Sequence, residues 1–145
     1  MDPSRFDPLI QIAETRVEEA AGAYAQVNGQ LALHENRLGD LRRFASEYHG
    51  IPNGGTSAVQ LVNRRAFAAR VDDVARQQAQ HVDHARRAAE KQREALVEAR
   101  REAEALRRLA AVRRAEANRR IERRSQSELE DLAVRGFIAR HREDP

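Results

Sequence analysis

His49-Gly50-Ile51-Pro52-Asn53-Gly54-Gly55-Thr56-Ser57 interrupts a chain that is otherwise patterned as helix. Its three glycines favour positive φ, its proline lacks an N–H and disfavours the helical conformation of the residue before it, and Asn-Gly is a turn dipeptide. Thr56 and Ser57 supply hydroxyls that can cap a following helix. The stretch therefore predicts a tight hinge, at about residues 50–57, between two helical arms.

The composition is typical of long helices with a narrow apolar seam. Only 4% of the 145 residues are aromatic and 34% are charged, while much of the 41% hydrophobic fraction is alanine. Intrinsic disorder is the alternative for such a chain, but a regular apolar spacing favours helices. The absence of cysteine excludes disulfides and thiolate sites. We expect a cytoplasmic protein, because no apolar run could span a membrane and no secretory signal is recognisable.

The first arm carries an apolar heptad pattern. Position a holds Ile10, Val17, Tyr24, Leu31, Leu38 and Ala45, and position d holds Ala13, Ala20, Val27, His34, Leu41 and Tyr48, with Phe6 extending it backwards. Such a pattern over about six heptads indicates a coiled coil. His34 is either a ligand, a pH switch or, as we favour, a polar residue that sets the register. Phe44, at position g, either widens the contact between the arms or forms an exposed docking patch.

The second arm continues the pattern without a proline between Pro52 and Pro145. Position a holds Leu61, Ala68, Ala75, Val82, Ala89, Leu96, Ala103 and Ala110; position d holds Val71, Ala85, Ala99 and Leu106, with Arg64, Gln78 and Gln92 as polar residues. An uninterrupted pattern predicts one long helix, whose alanines bury little area. We predict an all-α fold: a long antiparallel two-helix coiled-coil hairpin forming a single domain, with helix one at about 6–49 and helix two at about 57–140.

Because helix two is longer than helix one, its end should overhang. Ideal pairing places Phe6 opposite roughly Ala103. Past Ala110 the apolar residues follow a displaced register: Ile121, Ser125, Leu129 and Leu132. The predicted overhang carries five arginine pairs: Arg100-Arg101, Arg107-Arg108, Arg113-Arg114, Arg119-Arg120 and Arg123-Arg124. Pairs at this spacing keep one side of a helix positive, although a merely solvated surface would look the same.

No pattern predicts a catalytic, cofactor or metal site. His81 and His84 share a helix face, but two ligands without a third make a poor metal site. No pair of carboxylates has the apolar surroundings that acid–base catalysis needs. The glycine-rich hinge lacks the lysine and the preceding strand of a phosphate-binding loop. We therefore predict a protein that is not an enzyme and needs no cofactor.

Three motifs resemble the flagellar export protein FliJ family over nearly the whole chain. They are Leu38-x-x-Leu41-x-x-Phe44-x-x-x-Tyr48, Leu61-x-Asn63-x-x-x-Phe67-x-x-x-Val71, and Arg123-Arg124-Ser125-Gln126-Ser127-Glu128-Leu129-Glu130-Asp131-Leu132-Ala133. The family's end typically reads R-R-E-Q-K-x-x-D-E-x-A. This chain departs from it at Ser125 and Ser127 and inverts the order of the acids at Glu130-Asp131.

The resemblance implies a soluble component of the flagellar type III export apparatus, at the inner face of the cell membrane at the flagellar base. Members of the family are stalk-like coiled coils that engage the hexameric export ATPase and the export gate membrane protein, and some escort export chaperones. Carried over by position, the gate-binding residues are Leu41, Phe44, Tyr48, Phe67, Val71, Val74 and Gln78. The ATPase-binding residues are Arg119, Arg120, Arg123, Arg124, Gln126, Glu130 and Asp131.

Two alternatives remain open at this point. The arginine pairs would also suit a helix that binds nucleic acid, for which affinity falls steeply with salt; the interleaved acids count against it. The chain could instead be a structural coiled coil whose overhangs pair with each other. Selective binding to a protein partner and sedimentation would separate the three possibilities.

Overall fold

The computed structural model describes residues 3–50 and 57–142. A short 3-10 turn at Pro3–Arg5 leads into helix α1, Phe6–His49, and the second helix, α2, is Ala58–Arg142. The described residues contain no strand and the two helices make long-range contacts, so the protein is an all-α helical hairpin, as predicted. Residues 51–56 of the predicted hinge lie outside the described residues.

Local sequence signals explain where α2 begins. The Ser57 hydroxyl accepts a hydrogen bond from the Gln60 backbone N–H, and the Gln60 side chain accepts one from the Ser57 N–H, each at 3.2 Å. This reciprocal pair is a capping box, which satisfies two backbone donors that a helix start leaves unpaired. The prediction that Ser57 caps the second helix is confirmed.

Contacts divide the chain into two compact units, and Arg16–Ala99 is the first described here. Its buried apolar side chains are all predicted a or d residues: Leu38, Ala45, Ala68, Val71, Val82, Ala89 and Leu96. On one side of this seam Glu35 pairs with Arg86 at 3.4 Å and His49 with Asp72 at 2.8 Å. Because a later residue in α1 meets an earlier residue in α2, the helices in this unit run antiparallel.

The second unit is Met1–Thr15 with Arg100–Pro145. Four of its predicted seam residues are buried: Phe6, Ala13, Ala103 and Ala110. Glu14 and Arg107 form an ion pair of 2.9 Å between the helices. The expected position of Phe6 opposite roughly Ala103 stays a prediction, and burial continues one heptad further, to Ala110.

The remainder of α2, residues 111–142, is called the overhang below. Every residue in it is exposed except for three that are half-buried: Glu116, Ala117 and Gly136. Along the described residues, neither helix contains a stretch that is both long and apolar enough to cross a membrane. The overhang is therefore a single helix of the second unit with no side chain in a core.

Candidate functional site

Three aromatic rings meet within the unit Arg16–Ala99, close to where α1 ends and α2 begins. The ring centroids of Phe44 and Tyr48 lie 5.0 Å apart, those of Tyr48 and Phe67 4.7 Å, and those of Phe44 and Phe67 6.4 Å. Phe44 is 44% exposed and Phe67 40%, whereas Tyr48 is half-buried. The three rings, here called the aromatic cluster, form a surface that is partly packed and partly open to solvent.

Arg64 of α2 binds the last turn of α1 beside the aromatic cluster. Its Nε donates to the Tyr48 carbonyl at 3.2 Å and its terminal nitrogen to the Glu47 carbonyl at 3.0 Å. Its guanidinium carbon lies 5.5 Å from the centroid of the Tyr48 ring. A cation here satisfies carbonyls that the helix end leaves unpaired and lies at the negative end of the helix dipole. The sequence identified Arg64 only as a polar residue of the seam.

A cavity of about 340 Å³ lies beside the aromatic cluster. It is lined by Tyr48, His49, Gly50, Leu61, Arg64, Arg65 and Ala68. Its wall combines apolar side chains with two arginines and a histidine. Such a cavity suits an apolar side chain that carries or adjoins a carboxylate.

The remaining residues predicted to bind the export gate have different environments. Val74 is exposed, and Leu41 is half-buried. Val71 is only 8% exposed and packs in the seam. Gln78 is half-buried and its amide binds His34. The structure thus brings Phe44, Tyr48 and Phe67 together, and it places Val71 and Gln78 between the helices.

His34 and Gln78 form a polar contact inside the seam. The Gln78 amide donates to the His34 carbonyl at 3.0 Å and approaches His34 Nδ1 at 3.1 Å. Because an amide nitrogen can only donate, His34 Nδ1 is the acceptor in this contact. The His34 ring also stacks on His81, with centroids 6.0 Å apart. This pairing supports the interpretation of His34 as a residue that sets the register.

The two candidate metal ligands, His81 and His84, are both exposed on α2. His81 stacks on His34 of the other helix, a contact that helix periodicity alone could not predict. Among the residues that the structure describes, no three His, Asp or Glu side chains are grouped so as to hold a metal ion.

The predicted ATPase-binding residues are all exposed on the overhang. At 100° per residue, Arg119, Arg123 and Glu130 lie on one face of the helix. Gln126 shares this face and contacts Glu130 at 3.5 Å. A second group, Arg120, Arg124 and Asp131, lies on the neighbouring face. The overhang thus presents basic residues first and acidic residues one to three turns later.

Apolar side chains are also exposed on the overhang, and the predicted site did not include them. They are Val112, Ile121, Leu129, Leu132, Val134, Phe137 and Ile138. Phe137 is 60% exposed and its ring lies 4.0 Å from that of His141. The displaced register beyond Ala110 is the sequence signal for these residues. The predicted ATPase site contains only charged residues and one glutamine, and so it left them out.

Glu90, an exposed residue outside the aromatic cluster and the overhang, has a perturbed pKa. Hydrogen bonds from the Arg93 guanidinium, the shortest 2.7 Å long, hold the pKa of Glu90 below its ordinary value. The same hydrogen bonds raise the pKa of Arg93. This pair is a feature of the helix surface, because both side chains are about half exposed.

Comparison with known proteins identifies the family. The family described as flagellar FliJ protein matches residues 1–142 of the chain. No curated protein matches the chain, and neither does any solved structure. A match over nearly all of the sequence, together with the helical hairpin, shows that the chain belongs to the FliJ family and is a coiled-coil protein associated with flagellar export.

Proposed function

We propose that the chain is a non-enzymatic, stalk-like component of the flagellar type III export apparatus. It engages the hexameric export ATPase through the overhang and the export gate membrane protein through the aromatic cluster. The observation that carries the proposal is the overhang of a FliJ-family chain: 32 residues of helix, 111–142, without a fully buried side chain. A single exposed helix has the dimensions to enter the centre of a ring, since its diameter is about 10–12 Å.

The charges of the overhang support ATPase binding. Arg119, Arg120, Arg123 and Arg124 are exposed within two turns, and none of them forms an ion pair in the part of the chain that the structure describes. Unpaired arginines favour carboxylates of a partner, because the planar guanidinium binds them in two-pronged fashion. Charge complementarity of this kind sets orientation and association rate more than affinity.

The aromatic cluster supports gate binding. Aromatic residues with a fixed geometry are enriched among the residues that dominate binding energy, because they contribute area at a low entropy cost. Phe44 and Phe67 keep two-fifths or more of their surface exposed. Val74 extends the apolar surface, and the adjacent cavity can accept a side chain of the partner. Val71 and Gln78 then act by supporting this surface from the seam.

The location and the chaperone role belong to the same proposal. A chain that binds the gate is held at the cytoplasmic face of the cell membrane, at the flagellar base. Escort of export chaperones rests on the resemblance to the family alone. Binding of a chaperone to the chain, measured with and without the gate, would test it.

The ATPase interaction is tested by pull-down and by turnover. We expect the chain to bind the export ATPase and to change its rate of ATP hydrolysis. The double variant Arg119→Glu with Arg123→Glu should weaken binding at least tenfold and either single change should weaken it less, whereas the single control change Arg87→Glu, at an exposed arginine outside the overhang, should not. Absence of binding, with an unchanged hydrolysis rate, would refute the proposal.

A DNA duplex serves as the competing ligand in the same assay. Nucleic-acid binding predicts that the logarithm of the affinity for the duplex falls linearly with the logarithm of the salt concentration. Selective binding to the ATPase in the presence of excess duplex supports the stalk, and displacement by the duplex contradicts it.

A further inference from the structure

We propose that the overhang also pairs with the overhang of a second copy of this chain, antiparallel and centred on Ser125. The pairing would engage Arg120 and Arg124, two of the four arginines that the proposed function assigns to the ATPase, so that self-association and ATPase binding compete. Only this last consequence rests on the proposed function. The pairing itself follows from the apolar and charged residues of the overhang.

An unpartnered apolar stripe runs along one side of the overhang. Ile121 is 66% exposed, Leu129 64% and Leu132 63%. With Ser125 and Gly136, they follow steps of 4, 4, 3 and 4 residues, which at 100° per residue keeps them within about 80° of one another. A stripe of this width is what one helix needs to pack against another.

The stripe is self-complementary about Ser125. In an antiparallel pair centred there, Ile121 of each copy lies opposite Leu129 of the other, and Leu132 lies opposite Asn118. Gly136 then has room for a long partner side chain, because an added Cβ at this glycine would meet only the Arg140 guanidinium, at 3.9 Å.

The flanking charges select the same arrangement. On one side of the stripe, Arg124 would lie opposite Glu128 of the second copy and Arg120 opposite Asp131. None of these four residues forms an ion pair within the described parts of the chain. A two-fold pair therefore gains four contacts between opposite charges. Parallel pairing would instead place each arginine beside the same arginine of the second chain, and the two like charges would repel.

The change of charge sign within one segment favours a second copy over a purely acidic partner. Residues 119–124 carry four arginines and one glutamate, and residues 128–131 carry three acids and no base. An acidic partner that matched the arginines would face the acids with like charge. The reversed overhang presents acids to the arginines and arginines to the acids.

The interface is small, so association should be weak and dependent on concentration. It has few large apolar side chains and solvent-exposed ion pairs, each of which contributes little in water. We expect a dissociation constant on the order of 10 μM, which sedimentation velocity can follow.

Charge reversal tests the pairing. Arg124→Glu alone and Glu128→Arg alone should each weaken self-association about tenfold, because both create repulsion on the two-fold pair. An equimolar mixture of the two variants should restore it, because one chain is then acidic at both positions and the other is basic at both. The control Arg87→Glu should associate like the wild type. The inference is overturned if the wild type is monomeric up to several hundred micromolar, or if the mixture behaves like the single variants.

Cysteine cross-linking tests the direction, since the natural chain has no cysteine. A mixture of Ile121→Cys and Leu129→Cys chains should form a disulfide between the two variants. Ile121→Cys alone should not, because its two copies would lie eight residues away from opposing each other, about 12 Å along the helix. Efficient cross-linking of Ile121→Cys to itself would overturn the antiparallel arrangement.

Titration of the export ATPase into the self-associated chain separates this inference from the proposed function. Dissociation of the pair as the ATPase binds supports both. ATPase binding by a chain that never self-associates refutes the inference and leaves the proposed function intact. Self-association without any ATPase binding supports the inference and refutes the proposed function.

Discussion

Phe44→Ala should weaken the proposed binding of the export gate at a modest cost in stability. The overhang provides an internal reference for a phenylalanine on an unpaired helix, since Phe137 is 60% exposed. Phe44 is 44% exposed, so packing in the hairpin removes about 16 percentage points of its surface, or about 30 Å² of a side chain of roughly 200 Å². At 25 cal/mol per Å² the lost burial amounts to about 0.8 kcal/mol.

Two further terms nearly cancel for this substitution. The contact with Tyr48 lies one turn away on the same helix and contributes about 0.2–0.5 kcal/mol. Alanine has the higher helix propensity, by about 0.5 kcal/mol. The edge contact with the Phe67 ring, at 6.4 Å between centroids, adds about 0.5–1.5 kcal/mol. The net cost should therefore be about 1–2 kcal/mol, less than that of removing a buried leucine.

Leu38→Ala is the matched comparison. Leu38 is 8% exposed, whereas Leu132 on the overhang is 63% exposed, so most of its side chain is buried by the hairpin itself. Leucine-to-alanine changes at such sites cost about 2–5 kcal/mol, because they combine lost burial with a cavity. This variant should lose stability while it leaves the aromatic cluster in place.

Urea unfolding followed by circular dichroism, and titration against the export gate protein, measure the two quantities. We expect Phe44→Ala to lower the urea midpoint less than Leu38→Ala does and to bind the gate at least tenfold more weakly. A loss of stability as large as that of Leu38→Ala would show that Phe44 belongs to the core. Native stability with unchanged gate binding would show that the gate surface lies elsewhere.

Three other substitutions test the contacts described above, and a fourth, Gln92→Leu, serves as a control. Arg64→Ala should cost about 1 kcal/mol and speed amide hydrogen exchange in the last turn of α1, because two carbonyls lose their charged donor; unchanged exchange would contradict the capping role. Gln78→Leu should destabilise the hairpin by about 1–2 kcal/mol, because the His34 ring nitrogen loses its donor between the helices and the His34 carbonyl, already paired within α1, loses its second hydrogen bond. Gln92→Leu, at an equivalent position without such a bond, should be neutral or stabilising, and equal effects would argue against a specific contact. Arg93→Gln should raise the lowered pKa of Glu90 towards its ordinary value, measured by NMR titration. Since the folded-state pKa is the lower one, the pair's small stabilisation is present above the ordinary pKa and is lost as pH falls through the folded value.

The helices and their seam were predictable because heptad periodicity is local information. Every predicted a and d residue from Phe6 to Tyr48 and from Leu61 to Ala110 is buried or half-buried. The capping role of Ser57 was equally local. These features depend on residues three to seven positions apart, whose relation on a helix is fixed before any tertiary contact forms.

Contacts between the helices were not predictable in the same way. Arg64 binds carbonyls of residues 16 and 17 positions earlier, and His81 stacks on a residue 47 positions earlier. Periodicity shows which side chains face the partner helix but leaves open which layer meets which. The sequence therefore described Arg64 as a polar interruption and His81 as half of a poor metal site.

Alanine layers make the choice of register a separate problem from stability. Suppose that, within the unit Arg16–Ala99, one helix slipped by one heptad past the other. The seam alanines would still face small or apolar residues, so the buried apolar area would change little. The same slip would place Gln78 opposite Leu41 or Val27 and leave its amide without a partner, at a cost of about 1–3 kcal/mol. It would also separate Phe44 from Phe67, whose ring centroids lie 6.4 Å apart, because seven residues of helix span about 10 Å. The contacts that select the register thus also assemble the aromatic cluster, so a partner that recognises the cluster recognises the correctly paired hairpin.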